Sequence, residues 1–245
     1  MLAVDITLIG GGWDVAAQVT CLRPYLAAAT ERSTGGIPRI AFVWLDEGDG
    51  TDWGNRWMEL VAEAGPVDPV DVAVAIGSTL DVGRVRAADA VFVCGGLTPA
   101  YADALGPAAA DLRRLVVDEG VPYAGSSAGA AVAARTAVVG GYLDGERVVC
   151  PPDSAEDLDP VTVVAGLGLV EEMVDVHTSA WGTLPRLAAA MAMSPAVETG
   201  LALDEDTAWH VTETGAQVLG RNAVHRLDRD GDGLRWTVRV PSSGR

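Results

Sequence analysis

Ser127 stands in Gly125-Ser126-Ser127-Ala128-Gly129, a G-x-S-x-G pattern. The residues before it, Val121-Pro-Tyr-Ala124, suit a buried strand. The alanine-rich run after it, Ala130–Ala137, holds good helix formers and no proline, which predicts a helix. Strand, tight turn and helix form the context in which G-x-S-x-G lifts a serine hydroxyl above a sheet. The spacing selects Ser127 over Ser126, because only Ser127 has glycine two residues away on both sides. The next amide, Ala128 N–H, opens the helix, where donors are free and the dipole favours negative charge. A nucleophile beside an oxyanion site is what acyl transfer requires.

A serine hydroxyl needs a base, and the chain has three histidines. His177 ends a predicted strand, Met173–His177, and enters a polar loop. His210 and His225 lie inside predicted hairpin strands and read as ordinary strand residues. His177 is therefore the candidate base. The base needs an orienting carboxylate. Between Ser127 and His177 the candidates are Asp144, Glu146, Asp153, Glu156, Asp157, Asp159, Glu171, Glu172 and Asp175. Asp144 and Glu146 come first after the predicted helix and are the pair expected to supply it. Gly95-Gly96 closes another strand, where backbone can approach a ligand, so Gly96 N–H is a second oxyanion donor alongside Ala128 N–H.

The elements that must position these groups alternate. Strands are predicted at Asp5–Ile9, Ile40–Trp44, Val70–Ile76, Ala87–Cys94 and Val121–Ala124. Helices are predicted at Val15–Thr30, Arg56–Ala64, Thr98–Leu105 and Ala108–Glu119, with an acidic loop over 46–55. Alternation implies crossovers and a mostly parallel sheet covered on both faces, with function at the C-terminal ends of its strands. Gly10–Gly12, Gly95-Gly96 and the Ser127 turn all fall at those ends. Val139–Gly166 reads as irregular and Pro185–Met193 as a short helix. Short strands with turn signals follow at Leu201–Asp204, Ala208–Val211, Gln217–Leu219, Val224–Leu227 and Leu234–Val240, which predicts antiparallel hairpins. No linker divides the chain, so residues 1–245 are expected to form one α/β domain.

The chain has 245 residues and a net charge of −17, and all 17 basic residues are arginine. Such acidity disfavours nucleic acid and anionic lipid as partners. No apolar run is long enough to span a bilayer, and the N-terminus runs straight into a strand, so a cytoplasmic protein is expected. Cys21, Cys94 and Cys150 are too scattered for a disulfide framework or a zinc site. Gly10-Gly11-Gly12 lacks the third glycine of a dinucleotide fingerprint, Val15 standing in its place. Asp228–Gly233 begins like a calcium loop but would end on Arg239 instead of glutamate, so a hairpin turn is the better reading. No metal or organic cofactor is expected.

Together, Gly125–Ala130, the Gly95-Gly96 turn, Asp175-Val-His177 and Gly200–Ala208 resemble the peptidase E and cyanophycinase family of serine peptidases, more closely the cyanophycinase branch. The resemblance extends over nearly the whole chain. It implies a class I glutamine-amidotransferase-like fold, a three-layer α/β/α sandwich with a mostly parallel central sheet and C-terminal antiparallel hairpins. It implies hydrolysis of peptide or isopeptide bonds in small or aspartyl-containing substrates. Ser127 would be the nucleophile, His177 the base, Asp144 or Glu146 the third member, and Gly96 and Ala128 the oxyanion donors. Leu97, Thr98, Trp181 and Arg186 would bind substrate, and a homodimer is compatible. The chain departs from the pattern at Leu97, where asparagine is usual, and at Trp181 and Thr183, which occupy positions that cyanophycinases give to arginine. Arg186 alone persists there to grip a carboxylate. These departures also allow an amidotransferase-like binding protein that no longer cleaves.

Overall fold

The computed structural model describes residues 4–48 and 52–242. Of the loop predicted over 46–55, residues 49–51 lie outside the described residues, as do residues 1–3. The first half alternates as expected: β1 (Asp5–Ile9), α1 (Val15–Arg32), β2 (Arg39–Asp46), α2 (Asp52–Ala62), β3 (Asp68–Ala75), α3 (Val82–Arg86), β4 (Ala90–Val93), α4 (Thr98–Leu105), α5 (Ala109–Arg113), β5 (Tyr123–Ser126) and α6 (Ala128–Ala131). β1, β5, β4, β2 and β3 lie side by side in that order, all parallel.

Side-chain alternation along these strands makes two faces. Ile40, Phe42, Trp44 and Phe92 pack with Leu22 and Tyr25 of α1 and Trp57 of α2. Ala41, Val43, Val91 and Val93 pack on the other side with Tyr101 of α4 and Leu112 of α5. A parallel sheet covered on both faces reads as near-continuous apolar strands, which is why β4 and β5 are buried throughout. α1 begins on Asp14, whose carboxylate accepts Ala17 N–H at 3.1 Å.

The alanine run after Ser127 departs from expectation. α6 stops at Ala131, and the chain turns into β6 (Thr136–Gly140). Carbonyls of Val132, Ala133 and Ala134 accept N–H groups of Leu167, Leu169 and Gly168, while Arg135 N–H donates to Val170 O. These long-range pairings override alanine's helix preference, since intrinsic propensity yields to tertiary context. The segment expected to be irregular contains β6, a hairpin of β7 (Leu143–Asp144) and β8 (Arg147–Val148), and β9 (Thr162–Ala165), which pairs antiparallel with β6.

The remaining strands are β10 (Met173–Asp175), β11 (Thr199–Leu203), β12 (Thr207–Thr212), β13 (Gly215–Gly220), β14 (Val224–Asp230) and β15 (Gly233–Arg239). Two helices precede β11: α7 (Thr178–Trp181) and α8 (Leu184–Met193). The hairpin β12–β13 extends the main sheet antiparallel to β1 and completes seven strands. The hairpin β14–β15 joins a second sheet of order β10-β11-β14-β15. Asp230 pairs with Gly233 across the turn, where Gly231 has φ 58°. The molecule is thus an α/β sandwich around a large, mostly parallel sheet. Among the described residues, no helix is long and apolar enough to cross a membrane.

Candidate active site

Ser127 sits between the end of β5 and the start of α6 with φ 52° and ψ −115°. A non-glycine residue is held in so costly a conformation only when its surroundings fix it. Its N–H donates to Ile9 O at 2.9 Å, which ties the turn to β1. Both glycines of the motif are needed for close approach. A Cβ on Gly125 would lie 2.3 Å from Gly129 O, and one on Gly129 would lie 2.2 Å from Val93 O.

His177 follows β10 in the left-handed region, φ 54° and ψ 32°, and its N–H donates to Gly10 O at 3.0 Å. Its Nε2 lies 2.7 Å from Ser127 Oγ. The two residues are 7% and 8% exposed, enough to reach the cavity and little enough to exclude bulk water. Gly11 makes room for the ring: a Cβ there would fall 2.1 Å from His177 Cε1. On its other side the ring stacks on Trp181, with centroids 3.9 Å apart and planes 9° apart. Burial pulls the His177 pKa below its ordinary value, and the hydrogen bond and charge of Glu205 pull against that shift. The neutral imidazole is the form that accepts a proton.

The carboxylate on this histidine is Glu205, with Oε1 2.8 Å from His177 Nδ1. The expectation of Asp144 or Glu146 is corrected here. Asp144 pairs with Arg147 in the β7–β8 hairpin, and Glu146 is exposed in its turn. Glu205 lies after the histidine in sequence, in the turn joining β11 to β12. Its neighbours hold that turn still. Asp204 accepts Ser179 N–H at 2.9 Å and Ala223 N–H at 3.1 Å. Asp206 accepts Asp14 N–H at 3.0 Å and Gln18 Nε2–H at 3.1 Å, and its own N–H donates to Gly11 O at 2.8 Å.

Gly95 abuts the serine, since a Cβ on it would lie 3.2 Å from Ser127 Cβ. Trp53 Nε1–H and Tyr101 O–H donate to Gly95 O at 2.9 and 3.2 Å and fix the turn. Among the described residues, no protein acceptor engages Gly96 N–H or Ala128 N–H. Ser127, His177 and Gly96 open into a cavity of ≈ 890 Å³, which Leu97 and Trp181 also line.

Two residues expected to bind substrate are committed elsewhere. Thr98 is buried, and its N–H donates to Glu156 Oε2 at 3.0 Å. Arg186 is 3% exposed and grips Asp175 with two hydrogen bonds of 2.9 and 2.6 Å, while its Nη1 donates to Ser154 O at 2.5 Å. With three of its five N–H groups engaged and the side chain buried outside the cavity lining, Arg186 is an internal fastener between β10, α8 and the Pro151–Ala155 turn.

Serine, imidazole and carboxylate in series at the C-terminal end of a parallel sheet make the constellation of a nucleophilic acyl-transfer site. The model of peptidase family S51 matches residues 67–219, and the chain belongs to that family. The fold is similar to a crystal structure of a peptidase from an acI-B1 actinobacterium, with TM-score 0.61 and 17% identity over 98% of this chain and 96% of that one. It is also similar to the crystal structure of a candidate peptidase E from Listeria monocytogenes EGD-e, with TM-score 0.52 and 14% identity over 90% of this chain and 100% of that one. Comparison with curated protein sequences finds no match.

Proposed function

We propose that this chain is a serine peptidase that hydrolyses peptide or isopeptide bonds in small substrates, with Ser127, His177 and Glu205 as its triad. The unbroken series of a 2.7 Å and a 2.8 Å contact through one imidazole carries the reading. Ser127 Oγ attacks the carbonyl carbon as His177 Nε2 takes its proton. Glu205 holds Nδ1–H and offsets the charge of the imidazolium, which also lies on the face of Trp181. Gly96 and Ala128 N–H groups receive the oxyanion. When the C–N bond breaks, His177 returns the proton to the leaving amine. Water then hydrolyses the acyl-enzyme by the same base.

The test is labelling by a fluorophosphonate probe. Wild type should form a covalent adduct at Ser127, and Ser127→Ala should form none and lose turnover of any dipeptide that wild type cleaves. Thermal stabilisation by peptides without labelling or turnover would instead favour the non-cleaving binding protein.

A further inference from the structure

Five of the chain's seven tryptophans, Trp13, Trp44, Trp53, Trp57 and Trp181, line the cavity that Ser127 and His177 open into. Core packing accounts for two of them: Trp44 and Trp57 are each 2% exposed, and Trp44 Nε1–H donates to Asp71 Oδ1 at 2.6 Å. Trp181 stacks on the imidazole. Trp13 and Trp53 are half-buried, so each keeps indole surface toward the cavity.

Trp13, Trp53 and Trp57 make one wall. The Trp13 ring lies 5.7 Å from Trp53 and 4.6 Å from Trp57, and Trp53 and Trp57 meet edge to face at 5.8 Å and 89°. α2 supplies Trp53 and Trp57 four residues apart, on one helix face, and the loop after β1 supplies Trp13. Rings held against one another present a fixed apolar surface, and an incoming aromatic ring gains from the same edge-to-face or offset geometry.

The wall adjoins both reacting groups through glycine. A Cβ on Gly95 would fall 3.1 Å from Trp57 Cζ2 and 3.2 Å from Ser127 Cβ, so one residue without a side chain separates indole from nucleophile. Trp53 Nε1–H donates to the carbonyl of that same glycine. On the other flank, Gly11, which makes room for the His177 ring, is two residues from Trp13. A group seated on this wall is therefore the side chain of a residue that flanks the bond under attack.

Charge decides what that side chain is. The guanidinium of Arg56 lies 3.6 Å from the Trp13 ring centroid and 6.0 Å from that of Trp53, and Arg56 is exposed at the rim. It fills the cation position on Trp13, and its charge repels a second cation there. A carboxylate deeper in would face Glu47 and Glu156, which line the cavity and accept Leu97 N–H and Thr98 N–H. A neutral ring meets neither penalty.

We infer that Trp13, Trp53 and Trp57 form a subsite for a neutral aromatic side chain next to the bond that Ser127 attacks, and that Arg56 keeps cationic side chains off it. The inference rests on the peptidase reading and names its substrate class, in place of the aspartyl preference that the family resemblance implies.

The experiment measures binding to Ser127→Ala by calorimetry, so that no turnover is needed. The ligands are two dipeptide sets, X-Ala and Ala-X, with X as phenylalanine, leucine, alanine, aspartate or arginine. In at least one set, phenylalanine should bind about ten-fold or more tighter than alanine, aspartate and arginine, and about three-fold or more tighter than leucine. Adding Trp13→Leu or Trp53→Leu should each shrink the phenylalanine-to-alanine ratio at least about three-fold. Arg56→Gln should bring arginine at least about three-fold closer to phenylalanine. Arg56 is exposed, so its variant carries the test should the tryptophan variants fail to fold. Leucine binding as tightly as phenylalanine in both sets, aspartate or arginine binding tighter, no binding of any peptide, or unchanged ratios in the folded variants would overturn the inference. Fluorophosphonate labelling of wild type runs in parallel. Labelling without aromatic preference removes this inference alone, whereas aromatic preference without labelling leaves the subsite and removes the peptidase reading.

Discussion

Glu205 reaches His177 from a turn 28 residues further along the chain, and its Oε1 stops 2.8 Å from Nδ1. The series therefore runs serine, histidine, acid in chain order. If this contact orients the imidazole during turnover, Glu205→Gln should lower kcat by about 10³–10⁴, the scale seen when a triad carboxylate becomes an amide. Asp144→Asn and Glu146→Gln should stay within about two-fold of wild type, since neither touches the ring. Steady-state kinetics on the three variants decides it, and a larger loss in Asp144→Asn than in Glu205→Gln would reverse the assignment.

The acid limb of activity follows from the burial of His177. The base works when neutral, and burial draws its pKa below the ordinary value, with Glu205 opposing the shift. The rate constant kcat/KM should therefore fall with decreasing pH through an apparent pKa below about 6.5. Removing the negative charge in Glu205→Gln removes the opposing pull, so the limb should move to still lower pH while the plateau drops. A pH–rate profile of both proteins reads this, and a limb above pH 7 would contradict the neutral resting imidazole.

Arg186 should matter for stability before it matters for substrate. Arg186→Met leaves Asp175 buried without its partner, and breaking such a pair costs about 3–5 kcal/mol. Urea denaturation should show the loss. A raised KM with an unchanged unfolding midpoint would restore Arg186 to the binding surface.

Asp5 makes a prediction far from the site. Its Oδ1 is buried and, among the described residues, unpartnered; burial, with help from Glu31, raises its pKa from 3.8 to about 6. Below pH 3.8 the carboxyl is protonated in both folded and unfolded chains. As pH rises toward 6, the unfolded chain ionises first, and stability is lost. Full linkage would amount to about 3 kcal/mol, which partial solvent access reduces to about 1–2 kcal/mol. Asp5→Asn should gain that much above pH 6 and nothing near pH 4, as thermal melts at the two pH values would show.

The sequence reveals the site unevenly. Ser127 is legible because a turn this sharp needs glycine at both flanks, and the steric conflicts at Gly125 and Gly129 are the physical content of that pattern. His177 is legible because the other histidines fall in strands, where His210 meets Thr7 and His225 lies near Asp204. Glu205 stays hidden for a different reason. The segment Asp204-Glu205-Asp206 is conspicuous, but three adjacent acids look alike until the turn aims one at Ser179 and Ala223, one at Asp14 and Gln18, and the longest at the imidazole. Arg186 misleads because a lone arginine near a binding loop reads as a carboxylate clamp, and only the coordinates show that the carboxylate is Asp175. The short α6 was hidden for want of local signal: its end is set by Gly166–Val170, thirty-odd residues away.

One consequence concerns the turn that carries Glu205. β11 belongs to the second sheet and β12 to the main one, so this turn is a seam between two independently paired layers. His177 is stitched to both margins, its backbone N–H to Gly10 O on one and its ring Nδ1 to Glu205 on the other. Any slip of one layer past the other would pull the proton relay out of line before it exposed much core. Inactivation by mild heat or denaturant should accordingly precede global unfolding, and the enzyme's working lifetime would report on the cohesion of that seam.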